Sequence, residues 1–310
     1  MEDLPVSVCI PTYNRGFCIK RTVESILNST YKNLHIFIVD NASTDNTEEV
    51  VKSINDKRIR YVKCKEHLPV NYNFIRCLNL ADTEIVCLFH SDDWYYPNII
   101  ENELKYIIDE GVGAVFTLIH HTSEEEYNKI FTYKANAPLF IYDYKKYINE
   151  ALVRGTLLSC PTFMTKKSVL SKVGILNKTS SMISDMSFWL PIVRKFKIIN
   201  INMYGQNYIK SDFQLSKAIF KERCVLSPQF IILDNEIDQI PKNIIEPHRL
   251  VQYKKRKRKE LFNLILTNAK NNNRKEVLRY TKLFISMEKL TIQNVSGTEK
   301  SYLNKLYHTK

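Results

Sequence analysis

Val6-Ser-Val-Cys-Ile-Pro-Thr-Tyr-Asn-Arg15 begins as a short apolar run that stops at a proline and continues with polar residues. Two later stretches have the same arrangement, Ile38-Val-Asp-Asn-Ala-Ser-Thr-Asp45 and Leu88-Phe-His-Ser-Asp-Asp-Trp94. Short runs of β-branched and aliphatic residues bounded by turn formers predict buried strands. The sequence therefore predicts three strands that each end in polar side chains.

Helical spacing of apolar residues fills the intervals between the predicted strands. The predicted helices are Cys18–Leu27, Thr44–Ile54 with a Ser43/Thr44 cap, Tyr72–Leu80 and Pro97–Ile108. Strands that alternate with helices are typical of an α/β fold, a mostly parallel sheet flanked by helices. Residues 119–150 show no firm pattern, and the sequence becomes helical and basic beyond about residue 215.

The three polar strand ends indicate where a ligand binds. In open parallel sheets, ligands bind beyond the carboxyl ends of the strands, near the point where strand order reverses. A single Asp in this position is more often a turn former, but three polar ends at one edge predict a nucleotide-sized cleft. The three ends that would line it are Pro11-Thr12-Tyr13-Asn14, Asp40-Asn41 and His90-Ser91-Asp92-Asp93.

The residue types in the third stretch indicate a metal. Asp92 and Asp93 are adjacent carboxylates, which raise each other's pKa unless a cation neutralises them. Oxygen ligands suit Mg²⁺ or Mn²⁺ shared with phosphate groups. The alternative is a cap for the helix that opens at Pro97. Neither G-x-x-x-x-G-K-[ST] nor G-x-G-x-x-G occurs, which excludes P-loop and dinucleotide-binding proteins.

The three stretches in this order resemble glycosyltransferase family 2, over roughly residues 5–200. The resemblance implies the GT-A fold and an inverting mechanism. It also implies that the Pro11–Tyr13 turn and Asp40 line the nucleotide, with Asp40 hydrogen-bonded to the base, commonly uracil. His90-Ser91-Asp92 would occupy the family's Asp-x-Asp position, with Asp92 as metal ligand and Asp93 near the donor sugar. His90 departs from the pattern. Its side chain either assists the site or is a packing substitution.

The second half supplies a candidate general base. Cys160-Pro-Thr-Phe-Met164 and Val169-Leu-Ser-Lys-Val-Gly174 precede Ile183-Ser-Asp-Met-Ser-Phe-Trp-Leu190, an order that also resembles the family. The resemblance implies that Asp185 is the base, although Ser184 replaces the usual Glu. Asp185 is also the only carboxylate between Glu150 and Asp212. The alternative role is a helix cap, and Trp94 and Trp189 are expected to be core residues.

The excess positive charge lies at one end of the chain. The net charge is +12, and residues 241–310 hold 17 Lys and Arg against 5 Asp and Glu. We predict a catalytic domain over 1–215, with a nucleotide-sugar-binding half (1–118) and an acceptor-binding half (119–215), and a helical basic region over 216–310. Lys254-Lys-Arg-Lys-Arg-Lys259 is either a solvated helix or a contact with an anionic membrane. Nucleic acid is not expected, because this charge is remote from the cleft residues.

The remaining features indicate location. Seven scattered cysteines without metal-binding spacing are expected to be reduced, buried packing residues. Glu2 and Asp3 do not fit a secretory signal, and no apolar run reaches the ~18 residues of a spanning helix. We expect a cytoplasmic protein, which would be peripheral on the inner face of the cell membrane if the basic run contacts lipid.

The sequence thus predicts a metal-dependent inverting glycosyltransferase with Mn²⁺ or Mg²⁺. Its donor would be a nucleotide-sugar, most simply a UDP-sugar, and its acceptor a hydroxyl of a glycan or lipid-linked glycan. Two alternatives stay open. A sugar nucleotidyltransferase would carry a glycine-rich basic loop after the first strand, where this chain has only Arg15 and Gly16. A non-catalytic nucleotide-sugar or glycan-binding module would tolerate the changes at His90 and Ser184.

Overall fold

The computed structural model describes residues 3–132, 139–176, 185–210, 224–241 and 243–293. Within these residues a single sheet holds nine strands. They are β1 (Val6–Thr12), β2 (Leu34–Asp40), β3 (Ile59–Lys63), β4 (Ile85–Leu88), β5 (Trp94–Tyr95), β6 (Val112–Thr122), β7 (Leu139–Tyr142), β8 (Phe163–Lys166) and β9 (Lys197–Ile209).

Ten α-helices accompany the strands in the described part of the chain. They are α1 (Ile19–Leu27), α2 (Thr47–Lys52), α3 (Val70–Leu80), α4 (Ile99–Ile107), α5 (Tyr144–Arg154), α6 (Lys167–Lys172), α7 (Met186–Val193), α8 (Pro228–Gln239), α9 (Pro247–Lys270) and α10 (Arg274–Gln293).

The order of the strands places a crevice beside β1. The sheet runs β3-β2-β1-β4-β8-β6-β9-β5, and β7 pairs with β9. The first four strands in this order are parallel, whereas β8 is antiparallel to both of its neighbours. The chain moves outward from β1 to β3 and then returns to the other edge of β1, so strand order reverses there. This arrangement confirms the predicted α/β fold, a mostly parallel sheet flanked by helices.

Burial on both faces of the sheet explains its apolar strands. Every residue of β1 is buried, and its side chains alternate between the two faces. One face meets α1, whose Ile19, Val23 and Ile26 lie at helical spacing and are buried in the same core cluster as Val8 and Ile10. Parallel strands covered on both faces read as continuous apolar runs, which is why the sequence revealed them.

The structure corrects the predicted start of the second helix. We expected a Ser43/Thr44 cap, but α2 begins at Thr47. Asp45 accepts a hydrogen bond from the Thr47 amide at 3.0 Å. Ser43 instead donates its backbone amide to Asp40 at 2.7 Å, so it belongs to the turn after β2. Residue types that cap helices occur on both sides of this turn. Only the three-dimensional contacts show where the helix begins.

The described residues form two compact units. One comprises Met1–Ile148 and Thr156–Gln214, and the other comprises Asn149–Gly155 and Leu215–Lys310. In the second unit, Leu261 and Leu264 of α9 pack with Tyr280 of α10 in a small apolar core. The domain boundary predicted near residue 215 stays a prediction.

Two observations bear on the predicted location. No described helix is long and apolar enough to cross a membrane. All seven cysteines are free thiols, and five are buried as predicted. Cys64 and Cys224 are only half-buried, which corrects the expectation that every cysteine is a core residue.

One ionisable side chain lies in the apolar core. On α4, Ile99, Ile100, Leu104 and Ile107 belong to the main core cluster, and Glu103 is fully buried on the same helix. Neither of its carboxyl oxygens has a hydrogen-bond partner among the described residues. Burial therefore raises the pKa of Glu103 well above its usual range, which favours the protonated carboxyl in the folded protein.

We predict that Glu103→Gln removes a pH-dependent loss of stability. Above about pH 4.3 the unfolded chain releases the Glu103 proton while the folded chain retains it. The free energy of unfolding of the wild type should then fall by about 1.4 kcal/mol per pH unit, relative to the variant, until the folded carboxyl also ionises. Urea unfolding of both proteins between about pH 5 and pH 8 measures the difference.

Glu110→Gln provides the control, because Glu110 is exposed and its loss removes a carboxylate without changing the core. Its stability curve should run parallel to that of the wild type. A Glu103→Gln curve that also runs parallel to the wild type would contradict the buried, protonated carboxyl.

Candidate active site

The turn after β1 carries the first predicted site residues. Pro11 and Thr12 are buried, and the Thr12 hydroxyl has no hydrogen-bond partner among the described residues. Tyr13 then turns outward with 39% of its surface exposed. Asn14 adopts a left-handed backbone with φ of 50°, a conformation that asparagine tolerates. Its side-chain oxygen accepts the Thr44 amide at 2.9 Å, which fixes the turn against the loop after β2.

Tyr13 forms a ring pair that the sequence did not reveal. Its ring lies 4.2 Å from the His67 ring, measured between centroids. Asn41, directly after β2, holds the loop of His67 by a two-way amide contact with Leu68, at 2.7 and 2.9 Å. Two partly exposed rings at the carboxyl end of β1 can stack against a planar base.

Asp40 lies deeper than the other predicted residues. It is fully buried at the end of β2. One oxygen accepts the Ser43 amide at 2.7 Å, and the other accepts the Tyr61 hydroxyl. Burial and the Asp40 carboxylate raise the pKa of Tyr61, so this phenol stays a donor. Both Asp40 oxygens therefore already accept one hydrogen bond from the protein, and Tyr61 is a further residue that sequence reasoning missed.

Helix α1 fixes the backbone of the loop that follows β4. The Cys18 thiol lies 3.6 Å from the Ser91 carbonyl, and Arg21 Nη2 donates to the Asp92 carbonyl at 3.3 Å. Thr22 Oγ1 donates to the carbonyl of Asp93 at 2.6 Å. Three consecutive carbonyls are thus held by α1 and by Cys18 directly before it, which fixes the direction of the loop's side chains.

The carboxylate of Asp93 is buried and links its loop to β9. It is 1% exposed. Its oxygens accept hydrogen bonds from the Gln206 amide group and, at 3.2 Å, from the Ile209 backbone, both on β9. Burial, and then the neighbouring Asp92, raise the pKa of Asp93 well above its usual range. The N-cap of α4 is Asn98, so neither Asp92 nor Asp93 caps that helix, and the alternative role is wrong.

Asp92 and His90 are arranged as metal ligands would be. A quarter of the Asp92 side chain is exposed, and one of its oxygens lies 3.4 Å from Arg15 Nε. His90 Nε2 is buried without a hydrogen-bond partner among the described residues. Burial lowers the pKa of His90, which favours the neutral imidazole that metals bind.

The three side chains of this loop fit a divalent cation. His90, Asp92 and Asp93 each offer one ligand atom, and these atoms lie within 4.8 Å of one another. An unpartnered buried imidazole nitrogen beside two carboxylates is the polar environment that a cation would satisfy. Among the described residues, no other group of this kind was found.

The structure brings Asp185 to the same place. It lies at the start of α7, but its carboxylate does not cap the helix. Part of the residue is exposed to solvent. Desolvation by the surrounding protein nevertheless raises its pKa, and His90 acts in the opposite direction. His90 therefore interacts electrostatically with both Asp92 and Asp185. Ser184 lies outside the described residues.

The tryptophans take structural positions. Trp189 is fully buried, donates its indole N–H to the Tyr147 hydroxyl at 2.8 Å and packs edge-on against Phe116. Trp94 is half-buried and packs against Tyr96. The predicted core roles are in keeping with these contacts.

Curated relatives match this sequence over about two thirds of its length. It is 28% identical to the UDP-Glc:alpha-D-GlcNAc-diphosphoundecaprenol beta-1,3-glucosyltransferase WfaP of Escherichia coli, over 70% of this chain and 82% of that protein. It is 23% identical to the putative teichuronic acid biosynthesis glycosyltransferase TuaG of Bacillus subtilis, over 68% of this chain and 79% of that protein.

Solved structures share the fold. TarS 1-349 of S. aureus in complex with UDP-GlcNAc has a TM-score of 0.60 at 13% identity, covering 95% of this chain and 93% of that chain. The mannosyltransferase PcManGT of Pyrobaculum calidifontis, in complex with GDP-Man and Mn²⁺, also has a TM-score of 0.60, at 16% identity over 96% and 83% of the two chains. These similarities confirm the GT-A fold.

The family model described as glycosyl transferase family 2 matches residues 7–174, more than half of the chain. The matched segment contains both strand-end loops around Tyr13 and Asp40, and the loop that carries Asp92. The chain therefore belongs to glycosyl transferase family 2, enzymes that transfer a sugar from a nucleotide-sugar donor.

Proposed function

We propose that this glycosyltransferase is inverting and metal-dependent, with Asp185 as general base. The observation that carries the proposal is that His90 interacts electrostatically with both Asp92 and Asp185. A base must lie beside the reacting sugar, and the sugar lies beside the diphosphate that the metal site holds. We also propose residues 1–118 as the donor-binding half, 119–215 as the acceptor-binding half and 216–310 as a separate helical region.

The donor would lie across the carboxyl ends of β1, β2 and β4. Tyr13 would stack on the base, with Pro11 and Thr12 behind it and Asp40 beneath it. Asp40 would accept a hydrogen bond from the base with a remaining lone pair, while Tyr61 and Ser43 hold the carboxylate in place. Ser91, whose backbone α1 fixes, would lie near the ribose and diphosphate.

Asp92 would hold the cation together with His90, and Mn²⁺ or Mg²⁺ would neutralise the negative charge that develops on the leaving diphosphate. Asp93 would act mainly through β9, because its oxygens already accept hydrogen bonds from Gln206 and Ile209. This differs from the role beside the donor sugar that the sequence resemblance implied.

The chemistry requires one displacement. Asp185 takes the proton of the acceptor hydroxyl while that oxygen forms a bond to the anomeric carbon. The bond from the anomeric carbon to the diphosphate oxygen breaks, and its electron pair leaves with the diphosphate. Attack opposite the leaving group inverts the configuration. Asp92 pairs with Arg15 and Asp93 with β9, so among these three acids Asp185 is the one whose carboxylate is available.

The relatives suggest the substrates. The name of WfaP specifies UDP-Glc and a diphosphoundecaprenol-linked sugar, and the name of TuaG specifies teichuronic acid biosynthesis. We propose a UDP-sugar donor and a hydroxyl of a glycan or lipid-linked glycan as acceptor, in cell-surface polysaccharide or lipid-linked oligosaccharide synthesis. The protein would act in the cytoplasm, at the inner face of the cell membrane.

We predict that Asp92→Asn abolishes transfer while leaving the fold intact. His90 remains as a ligand but carries no negative charge, and the Asp93 carboxyl is already engaged by β9, so too little negative charge is left for a divalent cation. Calorimetry should show that Mn²⁺ no longer strengthens UDP binding to the variant, and its melting temperature should match that of the wild type.

Glu110→Gln again serves as control, since it removes an exposed carboxylate outside the cleft. Near-native turnover of Asp92→Asn at limiting Mn²⁺ would show that the metal assignment is wrong. Donor hydrolysis by the wild type, measured with and without Mn²⁺, addresses the binding-module alternative, because a pure binding module would release no sugar.

We predict that Asp185→Asn cuts turnover by about 10² or more, the usual loss for a general base, with donor affinity nearly unchanged. The amide cannot accept the hydroxyl proton, but it is close in size to the carboxylate. The transfer rate and the calorimetric donor affinity are measured on the same preparation. A large loss of affinity with a small loss of rate would instead assign Asp185 to donor binding.

The structure refines the proposed membrane contact of the basic run 254–259. The run lies within α9, and its six cations do not share one environment. Lys257 is buried and paired with Asp234, and the Arg256 guanidinium lies 5.0 Å from the Phe230 ring centre. These two cations pack within the second unit, whereas Lys255 and Lys259 are exposed.

The exposed lysines share a helix face with apolar side chains. Val251, Lys255, Lys259, Phe262 and Leu266 follow one another at three- and four-residue spacing, which places them on one face of α9. Val251 is 67% exposed, and Phe262 is 52% exposed. Exposed lysines beside exposed aromatic and aliphatic residues fit the boundary between headgroups and acyl chains. We propose this face as the contact with an anionic membrane.

We predict that Lys255→Gln with Lys259→Gln weakens binding to vesicles of phosphatidylglycerol and phosphatidylcholine by about 30-fold, since each lysine near an anionic leaflet contributes ~1 kcal/mol. Sedimentation with the vesicles measures binding, which should also weaken as salt screens the charges. Lys57→Gln with Lys105→Gln removes two exposed lysines elsewhere and should leave binding unchanged. Equal sedimentation of all three proteins would contradict the contact.

A further inference from the structure

Arg15 forms an ion pair with the carboxylate of Asp92, the proposed metal ligand. It follows the turn of Tyr13 and Asn14, and its Nε lies 3.4 Å from an Asp92 oxygen. Its Nη1 donates to the carbonyls of Tyr13 and Asn14, each at 3.2 Å, and its backbone amide donates to the Thr47 hydroxyl at 2.9 Å. The guanidinium is thus held between the turn proposed to contact the base and the loop proposed to hold the metal.

This position has an electrostatic consequence. A guanidinium and a divalent cation compete for the partly exposed carboxylate of Asp92, because the two positive charges repel each other at such distances. The ion pair holds Asp92 in the absence of metal. A metal that takes the carboxylate leaves the guanidinium without its acid, a few ångströms from where the diphosphate would lie. A guanidinium presents planar, paired donors that match phosphate oxygens.

We propose that Arg15 exchanges partners during donor binding: it pairs with Asp92 in the metal-free enzyme and binds the donor diphosphate once a divalent cation occupies Asp92. The inference rests on the proposed metal site. It gives the cleft a second positive charge for the leaving diphosphate. That charge compensates for His90, whose imidazole carries no negative charge and stands where the resemblance places an acid, so the metal has fewer anionic ligands.

Arg15→Gln tests the exchange with two probes that do not depend on the base or the sugar. Mn²⁺ alone should bind the variant at least threefold more tightly than the wild type, because its competitor at Asp92 is gone. With Mn²⁺ at saturating concentration, inorganic pyrophosphate should bind the variant about tenfold more weakly, because the guanidinium that the metal releases from Asp92 is gone. Calorimetry measures both affinities, and the opposite signs are the signature of the exchange.

Two variants complete the design. Arg15→Lys keeps the charge and should stay within about threefold of the wild type for Mn²⁺. Lys105→Gln removes one exposed cation remote from the cleft and should change neither affinity. If Arg15→Gln weakens both probes together, Arg15 only braces the Tyr13 turn, and the proposal is wrong. Unchanged affinities would overturn it as well.

Asp92→Asn separates this inference from the proposed function. If that variant still binds Mn²⁺ as the wild type does, the metal assignment itself fails. If it loses Mn²⁺ while Arg15→Gln shows no opposite shifts, the metal site stands and only the exchange is wrong.

Discussion

Strand β1 is paired in parallel on both edges, with β2 on one side and β4 on the other, and the site depends on this pairing. In the register of the sheet Thr12 lies beside Asp40, and Cys9 lies beside Leu88. Parallel strands end at the same edge, so the loops carrying Tyr13, Asn41 and Asp92 open side by side. Helix α1 then holds the third loop by its backbone carbonyls. Because α1 is packed in the core, the core fixes the position of Asp92.

Four acidic side chains lie at the cleft, and each one is stabilised by different partners. Asp40 is buried against Tyr61 and a backbone amide, and Asp93 is buried against β9. Asp92 keeps a partly exposed carboxylate and pairs with Arg15, while Asp185 is free of any capping bond. The buried acids shape the site, and the accessible ones are suited to exchange partners with a cation or a substrate. Glu103 differs from all four because nothing in the described structure offsets its burial.

The second unit shows that a run of like charges need not act as one surface. Six successive cations encircle a helix, so some of them must face its packed side. Lys257 is stabilised there by Asp234, and Arg256 by Phe230 and carbonyls of α5. The lysines on the opposite face remain beside exposed Val251 and Phe262. Neutralising all six cations would therefore disturb the packing of the unit as well as the proposed membrane contact, and the two effects could not be separated.

The sequence by itself determined the alternation of strands and helices, the three polar strand ends and the family, because continuous apolar runs and ordered short motifs are local features. It also named Asp92 and Asp185. Tertiary structure alone decided which side chains those acids meet. Arg15, Tyr61, His67 and Gln206 reach the site from separate loops and strands. Nothing local in the sequence indicates that β8 lies antiparallel to both of its neighbours. The inward turn of Asp93 could not be read from sequence either, since Asp92 and Asp93 are identical residue types. Only the position of β9, more than a hundred residues later, distinguishes them.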